Sequence, residues 1–393
     1  MKKTAKPIYA FILLIIFVTP VSTKAHVKWF SSEANSHAEP LSLIQVLSST
    51  TFIYLVLLFF GMMLIVAWAD HILSHSNSQF SKKSDHLDSW VTPLLPRALR
   101  YSLALFLVAS IIYHGTEPVY LTPELKASGQ WVLWLQAVMA ISLIWKRSAW
   151  VAALGIVLLY GCATVQYGWF HLLDYPVFLA VSAFLAMDSL SNERHIGLSW
   201  CILRLGAGIT LMWAGGEKWL YPWWSYPMLD AELSAIQFGL SHQSFMFLAA
   251  FVEFCAAYAL VFGRRTSQLA AIVLLIPFLA AIPVFGMLDA IGHSPIIAVL
   301  AMLALTNNRL PEPFLESKGW HGRFHYAGLC SLGTLFTLGL YWLLQYVAYP
   351  VPLAEHRSVE PTLATLLMLP AVVYLLPKIP AFRIIHKASP PNY

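Results

Sequence analysis

Two short stretches pair a histidine with an aspartate at helical spacing. In FHLLDYP (170–176), His171 precedes Asp174 by three positions; in GMLDAIGHSP (286–295), Asp289 precedes His293 by four. Such spacings put both side chains on one helix face. A carboxylate beside an imidazole can orient it for metal binding or proton transfer. The plainer reading is a helix start, with Asp as N-cap and Pro in the first turn. A third candidate is Glu253, a carboxylate inside an apolar run about three turns before Arg264. A carboxylate there must be neutral, paired or facing water, so it is either a proton carrier or a tie to a neighbouring helix, for instance to Arg204. Arg100 and Arg204 each open an apolar run. They either snorkel to headgroups or reach inward to an acid or carbonyl. His26 follows Ala25; freed by cleavage, its amine and imidazole would suit copper. In ADHILSHS (69–76), His71 and His75 share a face beside Asp70.

The elements that must position these groups are membrane helices. The chain has 393 residues, of which 59% are hydrophobic and 11% charged, against about 25% charged in a soluble domain. The basic residues are dispersed, which excludes a nucleic-acid footprint. Cys162, Cys201, Cys255 and Cys330 lie in or beside apolar runs without any C-x-x-C, and read as small buried hydrophobes. Apolar runs suited to span a bilayer fall near 50–69, 98–115, 129–146, 148–168, 171–188, 198–219, 244–263, 267–288, 292–306, 325–349 and 361–377. The fold class is therefore all-α: a polytopic bundle of about 11 transmembrane helices, several paired as tight hairpins. With these spans and an external N-terminus, inner segments collect 16 Lys and Arg and outer ones 4, which places the C-terminus in the cytoplasm. Residues 1–25 have a basic start, a short apolar run, Pro20 and Thr23-Lys24-Ala25, the parts of a signal peptide. Residues 26–49 then form a periplasmic segment, in a bacterial-type inner membrane.

Residues 97–190 align with 198–306. Arg100 falls on Arg204, His114 on Lys218, Gln136 on Glu253, Arg147 on Arg264 and Pro176 on Pro295, with a His and an Asp before each Pro. Four helices per copy is an even number, so the copies enter from one side and are parallel repeats. Residues 50–96 add one helix and a cytoplasmic loop, and 307–393 add two helices and a cytoplasmic tail. In GGEKWLYPWW (215–224), Glu217 and Lys218 among Trp219, Tyr221, Trp223 and Trp224 read as an interfacial anchor. The loop 217–243 is also long enough to cap a cavity.

The second copy resembles the DoxX/DoxD type of four-helix membrane unit. The resemblance rests on Arg204 early in the first helix, Gly206 and Gly208 in its middle, Lys218 near its end, the acidic Glu253 in the second helix, and Gly263 with Arg264 after it. It extends more weakly over 97–190 and leaves out 26–70 and 320–393. It implies a common fold and, for some members, membrane-linked redox work, including a quinone-reducing thiosulfate oxidoreductase subunit. The polar-core candidates are then Arg100, Gln136, Arg204, Lys218 and Glu253. The outer-hairpin candidates are His171, Asp174, Asp289 and His293, and His26 is a metal candidate. In the first copy His114 and Gln136 replace the Lys and the acid, so a site there need not be active. Three functions compete: a redox-linked subunit that meets quinone and a partner protein, a handler of copper or a small solute, and a structural or assembly factor. The first expects Glu253 and Arg204 on a lipid-accessible cavity, the second a path joining the His/Asp pairs to Glu253, and the third no cavity.

Overall fold

The computed structural model describes residues 39–75, 90–190, 193–231, 237, 239–306, 319–349 and 359–375. The cleavage motif at Ala25–His26 lies outside them. Among the described residues there are helices and no strands, with one isolated bridge between Val119 and Lys126. Lipid offers no partner to a backbone amide, so apolar runs this long must satisfy their hydrogen bonds within helices. After a short α1 (Leu43–Ser48) come α2 (Thr50–His75), α3 (Leu95–Tyr113), α4 (Trp131–Ser142), α5 (Ala149–Tyr167), a one-turn α6 (Trp169–Leu172) and α7 (Pro176–Ser189). The second half of the chain supplies α8 (Glu193–Leu220), α9 (Tyr226–Ala231), α10 (His242–Phe262), α11 (Thr266–Leu305), α12 (Trp320–Ala348) and α13 (Glu360–Leu375).

Helical segments fall within each of the eleven expected runs as far as the described residues reach, and among those residues seven helices are long and apolar enough to cross a membrane. The chain is a multi-pass membrane helix bundle. Three helices, within Trp131–Ser142, Pro176–Ser189 and Glu360–Val373, are shorter than a full span. The runs at 267–288 and 292–306 join in α11, but not as one rod. Gln268 Nε2 donates to Ala304 O at 3.4 Å, and the rings of Phe278 and His293 are 4.9 Å apart. Along a straight helix, the 36 residues from 268 to 304 would cover about 54 Å. The chain therefore reverses between them, at Gly286, whose φ of 77° and ψ of −154° suit glycine alone. The same happens at Gly168 (φ 86°) between α5 and α7, where Ser182 Oγ reaches Ala153 O at 2.8 Å.

Helix α8 sits among α7, α10 and α12, and α2 packs on α10 and α12. Close approach needs small residues. A Cβ built on Gly206 would lie 2.2 Å from Ala180 Cβ, and one on Gly208 2.2 Å from Val261 Cγ2. Helix α11 packs on α3, with Thr306 at its end 3.4 Å from Thr92 just ahead of α3. Helix α7 packs on α8, with Val177 N bonded to Thr210 Oγ1 at 3.0 Å.

Candidate functional site

The close packing at Gly208 fixes the spacing of α8 and α10 and brings their polar residues to one level. Lys218 Nζ donates to Glu253 Oε2 at 2.6 Å, and lies 3.4 Å from Ala214 O on its own helix. The short distance is that of a charge-assisted bond. Both groups line a cavity of about 520 Å³ walled by α7, α8, α10 and α11. Its wall is mostly apolar and aromatic, including Phe178, Leu211, Phe245, Val252, Phe278 and Phe285.

Asp174, Asp289 and His293 line the same cavity. His293 Nδ1 lies 2.7 Å from Asp289 Oδ1, one helical turn away, and Asp289 is wholly buried. The pair is in electrostatic contact without hydrogen-bond alignment. Neither aspartate occupies the N-cap position. The residue preceding α7 at its cap is Tyr175, and Asp289 lies within the second half of α11. Of the five residues whose convergence the sequence put in question, four share this cavity: Asp174, Glu253, Asp289 and His293.

His171 is the fifth, and it turns elsewhere. Its Nε2 lies 3.0 Å from Glu124 Oε1, which also accepts from Tyr175 OH. Glu124 sits in the loop between α3 and α4, where nothing in the sequence marked it. Gln136 is fully buried and donates to Val119 O at 2.8 Å and Tyr120 O at 3.3 Å, tying down that loop. His114, aligned with Lys218, has its imidazole held below the usual range by burial and then by the nearby Lys126 charge. At the position aligned with Glu253 the segment 97–190 carries the uncharged Gln136, so the Lys218–Glu253 ion pair has no counterpart there.

The two arginines reach inward. Arg100 Nη1 bonds Asp188 Oδ2 at 2.8 Å with both side chains nearly buried, and Lys146 adds a contact to Asp188 at 3.4 Å. Arg204 is 2% exposed and does not line the cavity. Glu253 is bonded to Lys218 rather than to Arg204, because Lys218 lies four turns further along α8, level with the acid. The interfacial reading of 215–224 needs correction. Trp219, Tyr221 and Trp224 are 0 to 2% exposed, because the chain folds back as a 3-10 turn (Pro222–Ser225) followed by α9. Tyr221 stacks on Trp224 at 4.1 Å, and Trp224, Ser225 and Met228 cover one end of the cavity.

At the other end, Asp70 closes the α10–α11 turn. Its Oδ1 accepts from Arg264 N (3.0 Å), Thr266 N (2.8 Å) and Thr266 Oγ1 (2.9 Å). Asp70 thus caps α11 from another helix. Only its place next to His71 drew notice in the sequence. Among the described residues, no group of three or more His, Cys, Asp and Glu is placed to hold a metal ion. His26 lies outside those residues.

A family model described as DoxX matches residues 199–287, inside the segment 198–306 where the resemblance is clearest and consistent with a DoxX-like membrane protein. No curated protein and no solved structure matches the chain.

Proposed function

We propose that this chain is a redox-linked membrane protein that binds a quinone-type molecule in the cavity between α7, α8, α10 and α11. The observation that carries the reading is the meeting of two acid–base pairs, Lys218–Glu253 and Asp289–His293, in one largely apolar chamber. A chamber of this size, mostly apolar with a few polar groups, is the common form of a small-molecule site. A quinone ring offers flat faces to aromatic walls and two carbonyl oxygens to donors such as Lys218 Nζ and the His293 ring. Reduction of a quinone to a quinol takes two electrons and two protons. The carboxyl and imidazole groups can hand over the protons, and a partner protein supplies the electrons. A small polar solute would meet the same groups, but the apolar wall favours a lipid-soluble one. A purely structural role gives no reason for the chamber.

The arrangement in the membrane completes the proposal. The excess of basic residues on one side supports a cytoplasmic C-terminus, with the Trp224 cover facing outward. Two parallel four-helix units are supported by the reversals at Gly168 and Gly286 and by reciprocal packing: the fourth helix of each unit lies on the first helix of the other.

The test is a titration of the purified protein in lipid nanodiscs with a short-tailed benzoquinone, read by quenching of tryptophan fluorescence, since Trp224 faces the cavity. Saturable binding that weakens in Lys218→Met and in His293→Gln is expected. Binding that is absent, or equal in all three proteins, overturns the reading.

A further inference from the structure

The cavity is covered at one end by Trp224, Ser225 and Met228, and the far end of its α10–α11 wall is closed by Asp70. Its side wall is different. Helices α10 and α11 leave the turn at 263–265 antiparallel, and near that turn they are sealed: Ala257, Leu260, Val261, Ala270 and Ala271 are buried. Further from the turn the cavity lining on both helices is no longer sealed. Phe245, Leu248, Ala249 and Val252 on α10 face the cavity, as do Val273, Pro277, Phe278 and Ala281 at matching levels of α11, and none of these is buried. Val252 and Val273, the lining residues next to the sealed part, are 42% and 45% exposed. Beside them the outer face of α11 carries Leu269, Ile272 and Ile276, all exposed and apolar, as a lipid-facing surface must be. The hairpin is thus tied at Asp70 and, beyond its sealed part, lined by an accessible apolar strip of about 10 Å, taken from the seven-residue step between Phe245 and Val252. The α11 arm carries Pro277 and Pro283. Each removes one helical hydrogen bond, so this arm is the one able to bend.

We infer that the cavity is entered sideways from the bilayer through a slot along this strip, between α10 and the first half of α11. Its ligand is a membrane-dissolved amphiphile with a linear hydrocarbon chain. The chain lies in the slot and the polar head meets Lys218–Glu253 at its inner end. This rests on the small-molecule reading of the cavity but not on the head being a quinone.

The experiment uses the full chain in phosphatidylcholine vesicles containing a phospholipid with a diazirine on its acyl chain. After illumination, labelled peptides are mapped by mass spectrometry. Leu269, Ile272 and Ile276 are the internal control, since bilayer lipid reaches them in any case. The expected result is additional labelling of Leu211 and Ala214, which lie on the α8 wall across the cavity. In Val252→Trp/Val273→Trp, that α8 labelling is lost while the control labelling persists. Labelling confined to the control face of the wild-type chain overturns the inference without needing any variant. Persistent α8 labelling in a folded double variant overturns the slot as the route. If α8 is labelled but no quinone binds, the slot stands and the head-group assignment falls.

Discussion

Removing the ammonium of Lys218 separates the roles of the two partners in the cavity. In Lys218→Met, Glu253 keeps its place on α10 and loses its 2.6 Å donor. A hydrogen bond to a charged group contributes about 1.5–3 kcal/mol, and breaking a fully buried ion pair costs about 3–5 kcal/mol. The two side chains keep 28% and 19% exposure, so the lower range applies, and a loss of about 1.5–3 kcal/mol is expected. Glu253→Gln should cost less, because Lys218 lies 3.4 Å from Ala214 O and its long stem can turn towards the cavity. The double variant then loses less than the sum. A double-mutant cycle, run by denaturant unfolding in mixed micelles, should give a coupling of about 1.5 kcal/mol or more. Coupling under about 0.5 kcal/mol, the scatter expected of independent sites, would refute the claim that the pair acts as one unit.

Three further outcomes follow from the packing. Asp70→Ala removes the acceptor at the start of α11 and should cost about 1–2 kcal/mol, with faster hydrogen exchange at the amides of Arg264 and Thr266. Gly208→Ala drives a methyl into Val261 and should cost about 1–3 kcal/mol in thermal unfolding; measured in a Val261→Ala background, the same change should be nearly neutral. His114 has its folded pKa lowered, chiefly by burial, so the folded chain binds this proton less readily than the unfolded chain. Its contribution to stability is complete above the ordinary imidazole value of about 6.5 and is lost as pH falls from there through the lower folded value. His114→Gln should therefore lose less stability than the wild type between pH 7.5 and 5.5, and an identical pH profile would count against the shift.

The helices were legible because apolar length speaks directly of a span, and Glu253, Lys218, Asp289 and His293 stood out because ionisable groups are rare in such runs. Their partners were harder to read. A helix that is apolar all round shows no preferred face, so the sequence placed Glu253 along its axis but not around it. Rotation decides whether the acid meets Arg204 or Lys218. The Asp70 cap joins residues 194 and 196 positions apart, and the partner of His171 is an ordinary loop glutamate. Such pairings depend on tertiary packing and leave no local signal. The tryptophans of 215–224 misled for a related reason: amphipathic rings suit a membrane interface, but they also fill the underside of a loop that folds back into the bundle.

The stretch shared with the family model ends at residue 287, two positions before Asp289. Lys218 and Glu253 thus fall within the matched stretch, while Asp289 and His293 come from sequence beyond it. The chamber is drawn from both sides of that boundary, and a chain cut at residue 287 would keep Lys218 and Glu253 while losing Asp289 and His293.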